Sequence, residues 1–383
     1  MNRRRFLFAS GATAVAVGAA VSRPVRARQA RTADIVIRGG LIHDGSGNPA
    51  RLGDVAVGRG RILAVGELSG WAASRTIDAA GRVVAPGFID THSHAAESLI
   101  RKGLHSGEAL LAQGITTLVI NPDGGGPVDI EAQRARLATL GIGVNVAPLV
   151  GHGAIRGAVL GGENRAPTSA ERDRMRAATR TALSAGAFGL SSGLFYTPGA
   201  YAATDEVTDL MRVAFDTLGR SAVHTSHIRD EGTYSVGVVA AVDEIIAIAE
   251  GSGTTGIVTH MKALGPDAWG RTRDCAAHID AARSRGVSMW ADQYPYEASG
   301  TSLFAALVPR AAQLGGRNAL VARLADPAQR AALLPQIRDN IRRRGGAASL
   351  VVAFHPPDRS IEGQTIEQIA TARGVAPEEA ALA

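Results

Sequence analysis

The chain has 383 residues, 45% of them hydrophobic and 4% aromatic, which suits one large barrel with a small accessory domain. Its formal net charge is +6, but residues 1–27 contain five arginines and no acidic residue. The rest of the chain therefore carries a net charge of only +1. This near-neutral body and the low aromatic content argue against a nucleic-acid-binding protein.

Residues 1–27 resemble a twin-arginine export signal. The basic segment Asn2–Leu7 leads into a mildly apolar run, Phe6–Val21, and Val25–Ala27 supplies a small-residue cleavage site. A membrane anchor and an ordinary basic tail are the alternatives, but the run is short and rich in Ala and Gly for a membrane span. We expect an exported, periplasmic protein with no stable membrane span after signal removal.

Residues 28–82 are predicted to form a small β unit. Its strand-like segments are Asp34–Gly40, Gly53–Val57 and Arg61–Val65, with turns at Asp44–Gly47 and Arg59–Arg61. The glycine pairs of this region do not open a helix, which argues against a nucleotide-binding fold.

Residues 83–383 alternate apolar strands with helical patterns. Seven such repeats predict a parallel sheet and an α/β fold of the (β/α)8 TIM-barrel type. The candidate strands are Val83–Asp90, Thr116–Asn121, Val144–Val150, Phe188–Ser192, Ala222–Ile228, Gly256–Met261 and Ser288–Tyr294. No eighth strand is evident, because the strand-like segment Ser349–Phe354 follows an irregular helical stretch. We expect a barrel truncated at its C-terminal end, in a chain that is a fragment of a longer protein.

Four histidines fall at the ends of predicted barrel strands. His92 and His94, at i and i+2, point to the same side of the first strand. His227 and His260 end the fifth and sixth strands, and the carboxyl ends of barrel strands carry catalytic groups. Each histidine alone could be a hydrogen-bonded structural residue. Four at equivalent positions predict one or two divalent metal ions, provided that an anionic ligand bridges them.

Few residues could supply that anionic bridge. The chain has two lysines, and Lys102 lies in a helix-like stretch away from the strand ends. Lys262 shares the side of His260 and could act as a carboxylated bridge or bind a substrate carboxylate. Asp123, on the glycine-rich loop after the second strand, is the best-placed bridge. The alternative for Asp123 is a turn-forming aspartate before glycine.

The segment Pro86–His94, with the small β unit before it, resembles the amidohydrolase superfamily. Four further segments narrow the resemblance to the N-acyl-D-amino-acid deacylases, or D-aminoacylases: Val150–Gly153, Ser192–Gly199, His227–Gly232 and Asp292–Tyr296. The resemblance implies a zinc hydrolase that cleaves small N-acyl-D-amino acids to a D-amino acid and a carboxylate. It also implies that residues 28–82 are the N-terminal part of a small β-sandwich.

The resemblance places His92 and His94 on one metal, and His227 and His260 on a more tightly held zinc. Many members have a bridging cysteine where this chain has Asp123. A carboxylate is a harder ligand than a thiolate, so a centre bridged by Asp123 should prefer zinc less strongly and bind other divalent metals as well.

The resemblance further implies that Lys262, Tyr196 and Tyr294 contact the substrate. The catalytic aspartate of the family belongs to an eighth strand, which we expect beyond Ala383. No catalytic residue is therefore assigned, and we do not give that role to Asp292.

Two other functions are considered. A cyclic amidase of the hydantoinase or dihydroorotase type uses the same barrel but favours a bridging lysine after the fourth strand. No lysine occurs between Lys102 and Lys262, which counts against that function. An inactive, exported metal-binding protein is the alternative if the truncation is genuine.

Overall fold

The computed structural model describes residues 31–383. The predicted leader, residues 1–27, lies outside the described residues. The chain divides into two compact units, the first ending at Pro86 and the second running from Gly87 to Ala383.

The first unit is built on one five-stranded sheet with β1 at its centre. β1 pairs antiparallel with β2 and parallel with β4 and β5, and β2 also pairs with β3. The strands are β1 (Arg31–Ile42), β2 (Arg51–Gly58), β3 (Arg61–Gly66), β4 (Trp71–Asp78) and β5 (Val83–Val84). The sequence predicts the first three. It misses β4, which is largely exposed and has polar side chains at Ser74, Arg75 and Thr76, so that its apolar alternation is weak.

The candidate strand 83–90 is two strands in the structure. Val83–Val84 joins the sheet of the first unit, and the first strand of the second unit begins only at Phe88. Pro86 lies between them, and proline interrupts strand pairing because it has no N–H to donate.

The second unit has an α/β architecture with parallel strands. Its strands are β6 (Phe88–Ser93), β7 (Ile115–Ile120), β8 (Asn145–Pro148), β9 (Val150–Gly151), β10 (Gly189–Gly193), β11 (Val223–His227), β12 (Thr255–Val258) and β13 (Met289–Ala291). They pair in chain order, β6 to β8 in one sheet and β9 to β13 in another, and only Leu149 separates β8 from β9. The predicted strands from 116–121 onward are confirmed to within three residues, with β8 and β9 together forming the third of the seven.

The segment 349–354 is not an eighth strand. It contributes an isolated antiparallel bridge between Val351 and Thr365. Within the described residues, β6 and β13 therefore each pair with a single strand. The parallel strands of these two sheets are consistent with a TIM-type barrel.

Helices follow or separate most of these strands. They are α1 (Ala96–Leu99), α2 (Glu108–Leu111), α3 (Ile130–Leu140), α4 (His152–Leu160), α5 (Ser169–Ser184), α6 (Thr204–Leu218), α7 (Val238–Ser252), α8 (Thr272–Ser284), α9 (Leu303–Leu307), α10 (Gly316–Ala325), α11 (Pro327–Arg343), α12 (Ile366–Arg373) and α13 (Pro377–Leu382). No helix within residues 31–383 has the length and apolar character needed to cross a membrane.

The largest hydrophobic core lies between strands β9–β13 and the helices α4–α8 that cover them. Val242, Ile245 and Ala249 of α7 are fully buried or nearly so, at the spacing of one helical face. Close packing of this kind leaves little freedom at the strand ends. The carboxyl ends of the strands are therefore a rigid platform for the side chains that project from them.

Candidate metal centre

His92 and His94 lie at the carboxyl end of β6. His92 is in the strand and His94 follows its last residue, Ser93. Their ring centroids are 5.2 Å apart, so the period-two spacing does bring both imidazoles to one side. His92 is largely shielded from solvent, whereas 68% of the His94 side chain is exposed.

Asp123 lies on the loop after β7 and faces three imidazoles. Its Oδ2 atom is 3.6 Å from His92 Nε2 and 3.2 Å from His94 Nε2, and its Oδ1 atom is 3.6 Å from His260 Nε2. The loop is held in place by a hydrogen bond from the Gly124 N–H to Ser191 Oγ, 3.1 Å long. Asp123 thus occupies the central position that the sequence predicts for a bridging carboxylate.

His227 and His260 come from the neighbouring strands β11 and β12. His227 is the last residue of β11, and His260 follows β12 by two residues. His227 Nδ1 and His260 Nε2 are 3.0 Å apart. The backbone N–H of His260 donates to Asp292 Oδ1 over 2.6 Å, so Asp292 fixes the loop that carries His260.

Glu231 and Lys262 form a buried pair beside His260. Glu231 Oε1 is 3.0 Å from His260 Nδ1 and accepts a 2.5 Å hydrogen bond from Lys262 Nζ. Lys262 Nζ also contacts His260 Nδ1 at 2.9 Å and donates to the His260 carbonyl at 2.8 Å. The Glu231 carboxylate and the His260 carbonyl therefore accept two of the three ammonium donors of Lys262, and His260 Nδ1 shares the same carboxylate. Sequence reasoning gave Glu231 no role, although it lies four residues after His227 in a segment that carried the family resemblance.

The donor atoms fall into two groups that share one histidine. Each group has its donor atoms within 4.8 Å of one another, and the groups are His92, Asp123, His260 and His227, Glu231, His260. His94 lies outside both groups. The structure therefore joins His260 to both ends of the centre, whereas the resemblance pairs it only with His227.

The electrostatics of the centre favour a bound cation. Burial raises the pKa of the Asp123 carboxyl, but the surrounding imidazoles lower it further, and the net pKa lies well below its usual range. Burial likewise opposes ionisation of Glu231, yet His227, His260 and Lys262 bring its pKa down to about 2. Both carboxylates are therefore charged at neutral pH and available as oxygen ligands.

The histidines respond differently to the same surroundings. Burial lowers the pKa of His227 to about 4, so its ring is neutral and can donate a nitrogen lone pair. Burial also disfavours the charged form of His260, but Asp123 and Glu231 outweigh it and raise its pKa to about 9. The contact with Asp123 raises the pKa of His94 as well. A metal ion would compete with these protons for the same nitrogens.

Several buried polar atoms at the centre lack a hydrogen-bond partner within the described residues. They are both ring nitrogens of His92 and the Oδ1 atom of Asp123. Unpaired buried polar atoms are costly and uncommon in folded proteins. Nitrogen and carboxylate oxygen donors of this kind fit a divalent metal ion, which would give these atoms the partner they lack.

These groups open into a cavity of about 340 Å³. Tyr196 lies in its wall with its hydroxyl 3.3 Å from Thr301 Oγ1, and burial raises its pKa to about 12. Burial also raises the pKa of Tyr294, whose ring centroid is 5.6 Å from Lys262 Nζ. Both phenols are therefore protonated hydrogen-bond donors at neutral pH.

The structure brings together every residue that the sequence predicts for the site. The cavity is lined by His92, His94, Asp123, His227, His260, Lys262, Tyr196 and Tyr294. Sequence reasoning missed other lining residues, among them Glu231, Phe195, Tyr234 and Arg344. Arg344 gave no local signal, because it follows a helix more than 80 positions after Lys262 in the chain.

A family model described as the amidohydrolase family matches residues 75–378, which include every residue of this centre. The chain belongs to the amidohydrolase family. This amidohydrolase is 40% identical over 293 residues to an N-acyl-D-glutamate deacylase of Alcaligenes xylosoxydans xylosoxydans, a match covering 70% of this chain and 58% of the relative. It is 35% identical over 298 residues to a D-aminoacylase of the same organism, covering 70% and 59% of the two chains.

A solved structure gives the same fold. The N-acyl-D-glutamate deacylase of Bordetella bronchiseptica, complexed with zinc and a phosphonate inhibitor that mimics the tetrahedral intermediate, superposes with a TM-score of 0.75 at 34% identity. The match covers 92% of this amidohydrolase chain and 70% of that chain. The chain spans less than two thirds of the length of the two curated relatives above.

Proposed function

We propose that this amidohydrolase cleaves the amide bond of N-acyl-D-amino acids to give a D-amino acid and a carboxylate. One observation carries the proposal: four histidines, two carboxylates, one lysine and two protonated tyrosines line the same cavity. Such a cavity can hold a metal, a substrate carboxylate and an amide carbonyl at once. Preference for the D-configuration is supported by the names of the relatives described above.

We propose that one or two divalent metal ions, zinc first among them, are held by His92, Asp123, His227 and His260. His94 would complete the outer side of the centre through its contact with Asp123. An ion bound there would act as a Lewis acid toward the amide carbonyl and supply a nucleophile at neutral pH. Asp123 is a hard carboxylate ligand, and this supports binding of other divalent metals besides zinc.

Lys262 is our candidate for binding the substrate α-carboxylate. Its ammonium group already donates to Glu231 and to the His260 carbonyl, so a substrate carboxylate would bind the remaining donor or replace one of those partners. Tyr196 and Tyr294 would donate hydrogen bonds to the same ligand from the cavity wall. A fixed carboxylate and a fixed carbonyl leave one direction for the side chain, which would give the D-selectivity.

The experiment is to assay the purified chain with N-acetyl-D- and N-acetyl-L-amino acids while measuring its metal content. The proposal expects release of acetate from the D-substrates only, and loss of turnover after chelation with recovery on adding Zn²⁺. An Asn48→Ala variant, outside the cavity, should match the wild type. Bound metal without turnover of any D-substrate would refute the proposal for this chain.

We also propose that residues 1–27 direct export by the twin-arginine route, which carries folded proteins. The support is the arginine run before a short apolar segment. Fractionation of expressing cells should find the wild type in the periplasm and an Arg3→Lys, Arg4→Lys, Arg5→Lys variant in the cytoplasm. An unchanged distribution would count against the signal.

A further inference from the structure

The cavity contains two basic side chains whose surroundings differ. Lys262 is neutralised by Glu231, 2.5 Å away. Arg344 also lines the cavity but forms no ion pair with any residue in the described range 31–383. Its Nε atom is buried and has no hydrogen-bond partner there. The cavity thus holds one basic side chain whose charge the protein itself does not balance.

Arg344 comes directly after α11 (Pro327–Arg343), and its backbone N–H donates to the Ile341 carbonyl. A cation at a helix C-terminus interacts favourably with the helix dipole, which explains a positive charge at this position. The dipole does not explain why the guanidinium faces the cavity with a buried, unpaired Nε. It lies 5.4 Å from the Tyr234 ring centroid, on the cavity wall.

Arg343, the residue before Arg344, shows how a neighbouring arginine is neutralised. The Arg343 guanidinium is 5.8 Å from the same Tyr234 ring, but it pairs with Asp339 at 2.8 Å. Arg343 and Asp339 line a separate cavity of about 360 Å³. Two adjacent arginines therefore share one helix end and one aromatic neighbour, and only Arg343 has its counter-ion within the described residues.

The Arg344 side chain is half-buried, and a partly shielded guanidinium without a counter-ion is stabilised when an anion binds it. The planar fork of arginine matches the two oxygens of a carboxylate. The proposed substrate already has an α-carboxylate, for which Lys262 is the candidate. A second cation in the cavity calls for a second carboxylate on the same substrate.

We infer that Arg344 binds a side-chain carboxylate, so that the cavity selects N-acyl derivatives of acidic amino acids over their neutral isosteres. This inference rests on the proposed function for the identity of the substrate. It makes Arg344 a specificity-determining residue, whereas Lys262 would serve acidic and neutral substrates alike.

The test compares N-acetyl-D-glutamate with N-acetyl-D-glutamine, which differ only in the terminal carboxylate. Calorimetric Kd values are measured on the full chain after metal removal, and kcat/KM on the zinc-loaded chain. Arg344→Gln should weaken binding of the glutamate ligand by about 10- to 150-fold, as expected for loss of a charge-assisted hydrogen bond. Binding of the glutamine ligand should change less than about threefold. Arg344→Lys keeps the charge but not the planar fork, so its Kd for the glutamate ligand should lie between those of the wild type and Arg344→Gln.

Arg343→Gln is the matched control and should leave both Kd values near wild type. Equal binding of the two ligands by the wild type, an equal loss for both in Arg344→Gln, or no binding of either ligand would each overturn the inference. Binding that depends on Arg344 without any turnover would refute the proposed hydrolase activity while leaving this inference standing. Turnover of both substrates without a preference for the glutamate derivative would refute this inference while leaving the proposed hydrolase activity standing.

Discussion

Replacing Glu231 by glutamine should weaken metal binding while keeping the fold. His260 presents Nε2 toward His227 and Asp123, and it presents Nδ1 toward Glu231 at 3.0 Å. If Nε2 binds a metal, Nδ1 carries the proton and donates it to the Glu231 carboxylate. A carboxylate in this position fixes the ring orientation and increases the basicity of the metal-binding nitrogen.

The size of the effect follows from that arrangement. Loss of the group that orients a metal-binding histidine typically lowers metal affinity by about 10- to 100-fold, or about 1.4 to 2.7 kcal/mol. Glutamine keeps an acceptor oxygen for His260 Nδ1 but removes the charge that neutralises Lys262. We therefore expect Glu231→Gln near the lower end of this range and Glu231→Ala near the upper end.

The assay is a chelator competition that gives the Kd for Zn²⁺ at constant pH. Glu244→Gln is the matched control, because the Glu244 side chain is as buried as that of Glu231 and also pairs with a cation, Arg229, at 2.7 Å. Glu244 lies outside the cavity lining, so its loss should lower stability without changing zinc affinity. Wild-type affinity in Glu231→Ala, or an equal loss in Glu244→Gln, would show that Glu231 does not position His260. A loss far above 100-fold would mean instead that Glu231 binds the metal itself.

Three further outcomes are expected. Asp123→Asn keeps the side-chain volume but removes a charged ligand, so metal per chain should fall by elemental analysis; unchanged content would refute a bridging role. Gly193→Ala places a Cβ 2.2 Å from the Asp123 carbonyl oxygen and should also reduce metal content, by displacing that loop. Glu206→Gln leaves the fully buried Arg156 without its counter-ion and should lower the free energy of unfolding in urea by about 3–5 kcal/mol, most of it recovered in a double variant with Arg156→Met. Burial opposes ionisation of Glu206, but His152 and Arg156 hold its pKa below the ordinary 4.5, so this stabilisation should be present above pH 4.5 and lost as the pH falls.

The strands of the second unit and the histidines at their ends were predictable from sequence because both depend on short-range patterns. Apolar runs separated by helical spacing indicate strands that pair in parallel, and the carboxyl ends of such strands meet on one side. His227 and His260 are 33 positions apart in sequence and 3.0 Å apart in space for that reason. Asp123 was predictable on the same grounds, as the first acidic residue after β7.

The pairing within the site was not predictable, because it depends on distances that no spacing rule gives. Lys262 has the length and charge to bind a substrate carboxylate. The sequence gives no sign that its ammonium group already donates to Glu231. Arg344 lies in a region of irregular helices whose placement is set by tertiary packing of α9–α11 rather than by the barrel repeat. Charge balance inside a cavity is visible only once these segments are in place.

Backbone strain is concentrated at the same strand ends. Of the four non-glycine residues with positive φ in the described chain, Asn121 (63°), Asp123 (57°) and His260 (39°) belong to the loops of the metal centre. Each such conformation costs about 1–3 kcal/mol and persists only where surrounding contacts enforce it. The Asn121 amide donates to the Leu149 carbonyl at 2.9 Å, and Asp292 accepts the N–H of His260.

Leu149 links β8 to β9 and Asp292 follows β13, so residues at neighbouring strand ends hold both loops in their strained conformations. A loop that is held in this way cannot relax to give each ligand atom a hydrogen-bond partner inside the protein. The unpaired oxygen of Asp123 follows from that constraint, and it lies beside the unpaired nitrogens of His92. The fold thus holds a set of metal-ligand atoms, without hydrogen-bond partners, at a fixed spacing. Preorganisation of this kind favours binding of a metal ion.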